Sequence, residues 1–273
     1  MKFTAFIISH VIGLSMFAQT LTLVDTFSST WPIDTWTMDK QQNLFTLSQN
    51  NIQKKAIFGN LTFNQSFKSL GDIHSIIPVN TFKILLFSDQ QQSLTIVDNT
   101  LTEQGNAIDF AELNFSNVAL VCASNRPNLI WVYDQFRSSL NLVDFQQSEI
   151  LQSIQNVENQ GNTILQLKEY QEHLYVLFSD GTLNRYDFLL NFSGSYILKN
   201  CRQFDFWNDQ IVYLSENASS LQMVPISLRT SQRMPDWNEL ELRNNRPIST
   251  FSIQGNLLGI QKENEISIYS IKY

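Results

Sequence analysis

Six times along this chain a short apolar strand is followed, after a few polar residues, by a second one. The pairs are Asn43–Leu47 with Ile52–Lys55, Lys83–Phe87 with Leu94–Asp98, Leu129–Asp134 with Leu140–Asp144, Leu174–Phe178 with Leu183–Asp187, Ile211–Leu214 with Leu221–Val224, and Leu257–Gln261 with Ile266–Tyr269. The first apolar residue of each second strand (Ile52, Leu94, Leu140, Leu183, Leu221, Ile266) recurs after 42, 46, 43, 38 and 45 residues. A repeat of that length holds about four strands, and a lone four-stranded sheet leaves both faces uncovered. Such units are stable only when stacked on one another, which is the design of a β-propeller blade.

Reading outward from each pair predicts an all-β, six-bladed β-propeller. Blade one spans strands Ile33–Met38, Asn43–Leu47, Ile52–Ile57 and Leu61–Phe67. The later blades follow the same plan, with ragged fourth strands near Asn106–Phe110 in blade two and Leu240–Leu242 in blade five. Blade six has only Ile248–Ile253, Leu257–Gln261 and Ile266–Ile271, whereas Leu21–Phe27 is one strand too many for blade one. The economical solution lets the N-terminal strand complete the last blade and close the ring, removing two exposed sheet edges.

Met1–Ala18 has the form of a secretory signal peptide: Lys2, then an uncharged and mostly apolar run from Ala5 to Ala18 that is too short to span a bilayer. Residues 19–273 are then a single propeller domain, exported to the periplasm or the cell surface. Two cysteines in an exported chain invite a disulfide. Here Cys122 and Cys201 fall in the first strands of blades three and five, with a whole blade between them, so two free thiols are expected.

The 24 Gln and 26 Asn outnumber the 43 charged residues, and the formal net charge is -7. No Lys/Arg cluster exists to displace counterions, which argues against a nucleic-acid partner, and a net acid is repelled by an anionic membrane. No P-loop, G-x-S-x-G, G-x-G-x-x-G, EF-hand or metal-ligand spacing occurs. No catalytic, cofactor-binding or metal residue is therefore assigned. Glu169, Glu172 and Glu216 qualify only as acids. Asp98, Asp144 and Asp187 share one register at the end of a third strand, where a carboxylate accepts N–H bonds from the following turn. Five N-x-S/T sequons stand at Asn60, Asn64, Asn114, Asn191 and Asn217, and they matter in a eukaryotic secretory route. Among five tryptophans, Trp36, Trp131 and Trp207 lie inside strands and should pack between blades. Trp31 and Trp237 lie in connections and are the candidate surface-binding residues, Trp237 in the longest linker, Ser227 to Glu239.

The segments Phe82-Lys83-Ile84-Leu85-Leu86-Phe87 with Leu94-Thr95-Ile96-Val97-Asp98, Leu129-Ile130-Trp131-Val132-Tyr133-Asp134-Gln135, and Gln42-Asn43-Leu44-Phe45-Thr46-Leu47 with Asn51-Ile52-Gln53-Lys54-Lys55 resemble a group of uncharacterised exported propeller proteins of Bacteroidetes-type bacteria. The resemblance implies six blades and a cell-envelope address, and it transfers no catalytic residue. The expectation is a non-enzymatic scaffold that binds another envelope protein; the alternative is a carbohydrate-binding or carbohydrate-processing propeller with a glycan partner.

Overall fold

A computed structural model describes residues 20–157, 161–216, 220–227, 238–240 and 247–272. Its strands form six antiparallel sheets of four. The N-terminal strand β1 (Thr20–Ser28) stands apart from the blade that follows it. Blade one is β2 (Thr35–Met38), β3 (Asn43–Ser48), β4 (Asn51–Ala56) and β5 (Thr62–Ser66). Blade two is β6 (Ser75–Pro78), β7 (Lys83–Ser88), β8 (Ser93–Asp98) and β9 (Ile108–Asp109). Blade three is β10 (Val118–Ala123), β11 (Leu129–Asp134), β12 (Ser139–Asp144) and β13 (Glu149–Ile154). Blade four is β14 (Ile164–Tyr170), β15 (His173–Phe178), β16 (Thr182–Tyr186) and β17 (Phe192–Ile197). Blade five is β18 (Cys201–Trp207), β19 (Gln210–Ser215), β20 (Leu221–Pro225) and β21 (Asn238–Leu240). Blade six is β22 (Thr250–Gln254), β23 (Leu257–Lys262) and β24 (Glu265–Lys272), completed by β1 in the order β1-β24-β23-β22.

The six-bladed fold and its closure are thus as the repeat predicts. β1 pairs with β24 from Thr20↔Lys272 to Ser28↔Glu265, with one bulge between Leu23 and Asp25. The ragged outer strands differ in detail: blade two keeps only Ile108–Asp109, and the fourth strand of blade five starts at Asn238, not Leu240. The proposed leader, Met1–Ala18, lies outside the described residues.

Each blade is a meander, so its connections sort to two ends of the ring. The lower face carries the links between first and second and between third and fourth strands; the upper face carries the rest. The polar links need left-handed backbone, and with so few glycines other residues supply it. Seventeen described non-glycine residues have positive φ, among them six Asn and four Gln. At the Asp180-Gly181 hairpin glycine is required: Gly181 has φ +82°, and a Cβ there would meet the Leu198 carbonyl oxygen at 2.2 Å.

Apolar residues alternate along the strands and fill the six wedges between blades, one hydrophobic cluster to a seam. Phe45, Leu47, Ile76 and Leu86 lie between blades one and two; Trp131, Leu142, Leu174 and Phe178 lie between three and four. Fully burying each such side chain contributes about 1.5–3 kcal/mol. At the closing seam Trp36 of β2 lies against Gly259 of β23, where a Cβ would stand 2.7 Å from the indole ring. Its Nε1–H donates to Thr250 Oγ1 of β22 at 2.7 Å. Glycine at 259 is therefore what lets blade one lie flat on blade six.

Candidate interaction surface

The first strand of every blade leaves one edge without a partner strand, and those edges face the axis. Glutamine side chains on adjacent blades take up part of that demand. Gln166 of β14 accepts from Phe204 N at 2.9 Å through Oε1 and donates Nε2 to Phe204 O at 2.9 Å. Gln203 of β18 does the same to Phe251 of β22, at 3.1 and 2.7 Å. Gln92, in a turn of blade two, grips Val118 of β10 at 2.6 and 3.0 Å. Gln166 and Gln203 both follow a register shift in their strands, which aims the amide sideways at the next blade. Each amide acts as one more peptide group, extending the hydrogen-bonding from sheet to sheet.

Titratable groups converge at one place, the lower ends of β10, β14 and β18. Glu169 of β14 reaches back to blade three. Its Oε2 accepts from Ser124 Oγ at 2.7 Å and from Trp131 Nε1, and its Oε1 accepts from Asn125 N at 3.0 Å. The Arg126 guanidinium lies 5.5 Å from the centre of the Trp131 ring. Asp205 of β18, only 4% exposed, ties three blades. It pairs with Lys168 Nζ of β14 at 2.5 Å and accepts from Ile253 N of β22 at 2.9 Å. These carboxylates are spent on N–H and O–H donors of the framework, so the arrangement works as a clamp. Among the described residues no group of three His, Cys, Asp or Glu is placed to hold a metal ion.

The remaining candidates resolve one by one. Asp98 accepts from Thr100 N and Thr102 N, Asp144 from Gln146 N and Gln147 N, and Asp187 from Leu189 N and Asn191 N. All three are turn-closing carboxylates, as their register suggests. The Thr100 hydroxyl holds the Asp98 carboxyl below its usual range, and the Asn191 amide does so for Asp187. Glu172 and Glu216 are exposed turn residues. His74 Nδ1 lies 3.6 Å from Asp89 Oδ2 at the surface, and His173 Nδ1 contacts Gln171 O. Trp36, Trp131 and Trp207 are buried.

Both cysteines are free thiols. Burial, reinforced by the Glu169 carboxylate, pushes the Cys122 thiol up, and burial pushes the Cys201 thiol up to about 12. Since the thiolate is the reactive form, native protein at pH 8 should leave both unmodified by a disulfide reagent such as 5,5′-dithiobis(2-nitrobenzoate), whereas denatured protein gives both. Rapid titration of either thiol in the folded state would contradict this packing.

Trp31 is 56% exposed, in the upper-face connection from β1 to β2. Trp237 lies outside the described residues. A different surface is more strongly apolar. Phe188, Leu189, Phe192 and Ile197 are 51, 54, 60 and 66% exposed, all within the outer hairpin of blade four. Its turn is fixed by Asp187 and by Leu190, which is buried at φ +64° and anchors the loop. Ser193 is a bulge, with Phe192 opposite Tyr186 and Gly194 opposite Arg185. Arg185 Nε and Nη2 hold it through Ser193 Oγ and O, both at 3.0 Å. Because of that bulge Phe192 and Ile197 stand on one face of the sheet, beside Tyr186 and Thr182. That face looks toward blade three, where radial sheets diverge and leave the outermost side chains uncovered. The signal was visible as Phe188-Leu189-Leu190-Asn191-Phe192, an apolar run where a polar turn is the norm.

No family model and no curated protein matches the chain. Solved structures do match it. The WD40 domain of Pan2 from Neurospora crassa is similar with a TM-score of 0.65 at 10% identity, over 92% of this chain and 95% of that one. A streptogramin B lyase gives 0.65 at 9% identity, over 93% and 98%. The Cps50 (Swd1) β-propeller domain of Myceliophteria thermophila gives 0.59 at 12%, over 93% and 100%. The fold they share with this chain is the β-propeller. At these identities the likeness extends to architecture alone.

Proposed function

We propose that this is an exported, non-enzymatic propeller that serves as a protein-binding scaffold, and that its docking surface is the outer hairpin of blade four. The observation that carries this reading is the exposure of Phe188, Leu189, Phe192 and Ile197 on a single hairpin whose backbone is held by Asp187, Leu190 and Arg185. Large apolar side chains held on a rigid hairpin cost little entropy to dock and gain by leaving water. The clamped seams support the same reading, since a stiff ring keeps such a surface in a fixed shape.

The test is a comparison of two tagged mature proteins, wild type and F188S/F192S/I197S, in pull-downs from the native source. A stoichiometric protein held by the wild type should fall at least tenfold with the variant. The melting temperature should change little, because these side chains are already in water. Equal recovery with both proteins would remove the hairpin as the docking surface, and the absence of any stoichiometric protein would remove the scaffold reading.

A further inference from the structure

The apolar hairpin of blade four shares its gap with an acidic wall. In blade three Leu140 and Leu142 of β12 belong to the cluster between blades three and four, whereas Val143 belongs to the one toward blade two. Alternation therefore turns Asp144 toward blade four, and Glu149, its exposed cross-strand partner at the lower end of β13, stands on the same face. Phe192 starts the facing outer strand, β17, at that same lower end and looks into the same gap. One wall thus offers carboxylates and the other large apolar side chains. Gln152, opposite Leu142 on the acidic wall, has a buried Oε1 that finds no donor among the described residues. Farther in on the lower face, Glu172 and Asp209 are exposed in turns of blades four and five. The cations of this sector are already engaged: Arg126 lies over Trp131, Arg185 holds Ser193, and Lys168 pairs with Asp205.

Given the docking surface proposed above, on which this step rests, we propose that the gap between the outer strands of blades three and four takes a cationic amphipathic helix of the partner. Its apolar stripe covers Phe188, Leu189, Phe192 and Ile197, and its Lys or Arg side chains lie along Asp144 and Glu149. Those side chains carry donors and no acceptor, which suits a wall of carboxylates and an unmet amide oxygen. An added strand is a poorer fit, because the bulge at Ser193 breaks the free edge of β17. A helix presents an apolar and a charged stripe on adjacent faces, as two walls of different chemistry require. Charge at such a rim selects among partners, so an acidic helix with the same apolar stripe is turned away.

The test titrates the mature protein against two fluorescein-labelled helical peptides, one of Leu and Lys and one of Leu and Glu with the same apolar stripe, read by anisotropy. The Leu/Lys peptide should bind about tenfold or more tighter than its Leu/Glu counterpart, and the difference should shrink as salt is raised. Reversing two exposed acids on the lower face, Glu149→Lys with Glu172→Lys, should weaken the Leu/Lys peptide about tenfold or more. Reversing two exposed acids on the upper face, Glu112→Lys with Glu265→Lys, changes the net charge equally and should leave its affinity within about twofold, because those sites lie beyond the reach of unscreened charge. Equal weakening by both pairs would show attraction to net charge alone and overturn the proposal. Equal binding of both peptides, lost in F188S/F192S/I197S, would overturn the cationic partner and leave the hairpin as the docking surface. Undiminished Leu/Lys binding by F188S/F192S/I197S would count against the hairpin itself. Failure of either peptide to bind would remove the helix, and a wild-type dimer that F188S/F192S/I197S makes monomeric would put a second copy in its place.

Discussion

Asp205→Ala is expected to be the most destabilising single substitution in the inner ring, lowering the melting temperature by about 10 °C or more. The carboxylate is 4% exposed and holds Lys168 of blade four and the Ile253 N–H of blade six together. Removing it strands a half-buried ammonium and leaves a backbone donor unpaired at once. Breaking one side of such a pair costs about 3–5 kcal/mol, much of it the penalty on the charge left behind. Two further variants separate the contributions. Asp205→Asn keeps an acceptor for Ile253 N but offers no charge to Lys168, so it should fall between wild type and alanine. Lys168→Met removes the ammonium without stranding it, and the double variant with Asp205→Ala should recover a large part of the loss. Urea melts at low and high salt complete the test. The Lys168–Asp205 contribution should change less with ionic strength than that of the Lys55–Asp25 pair, whose carboxylate is the more exposed. An Asp205→Ala protein within 1 kcal/mol of wild type would show that the clamp is incidental.

The elements that the sequence reveals and those it hides differ for a physical reason. Blade number and closure are legible because apolar alternation is a property of one strand and its turn. Ile52, Leu94, Leu140, Leu183, Leu221 and Ile266 each mark a third strand whatever surrounds it, and all six are fully buried. The seams are less legible because they depend on which side chain lies opposite. Gln166 and Gln203 carry no local signal that sets them apart from the other glutamines, and they serve as peptide surrogates between blades. Asp205, set between Phe204 and Phe206, gives no sign that its carboxylate holds both a backbone donor in the next blade and a lysine in the previous one. Glu169 reads as one acid among many, yet its partners Ser124, Asn125 and Trp131 lie about 40 residues earlier in the chain.

Surface exposure of aromatics is hidden for a related reason. Phe178 and Phe192 are both phenylalanines in strands of blade four, one fully buried and the other mostly in water. What separates them is radial position. The second strand of a blade is covered on both sides by its neighbours, and the fourth lies where the sheets have splayed apart. A pattern of apolar residues cannot report that distance from the axis. Tryptophan, as the largest side chain, was the natural guide to a surface site, and Trp31 is indeed exposed. The larger apolar surface is made of Phe and Leu in a turn.

Deleting β1 should do more damage than any single substitution, and the reason is topological. Blade two shows that a propeller sheet tolerates a poor fourth strand, since β9 has only two residues. β1 is different because it carries the join between the two ends of the chain. Eight of its nine residues pair with β24; it sets Val24 and Phe27 against the seam with blade one, and sends Asp25 Oδ2 to Lys55 Nζ of β4 at 2.6 Å. Without it blade six is held covalently on one side only, with the long edge of β24 open to pairing with other chains. A chain beginning at Ser29 should therefore elute from a sizing column as oligomers or aggregate, and lose the cooperative melt of the intact ring. Adding a synthetic peptide of residues 19–28 in excess during refolding should restore a monomer fraction, because the strand supplies contacts and requires no covalent link to the rest of blade one. Substituting Asp for Val24 in the intact chain gives a milder version of the same break, expected to cost about 2–4 kcal/mol through a charge set against an apolar seam. If the truncated chain remained a monomer with an unchanged melt, the seam would be closed by packing between blades six and one alone. Trp36 over Gly259 would then be the contact to test next.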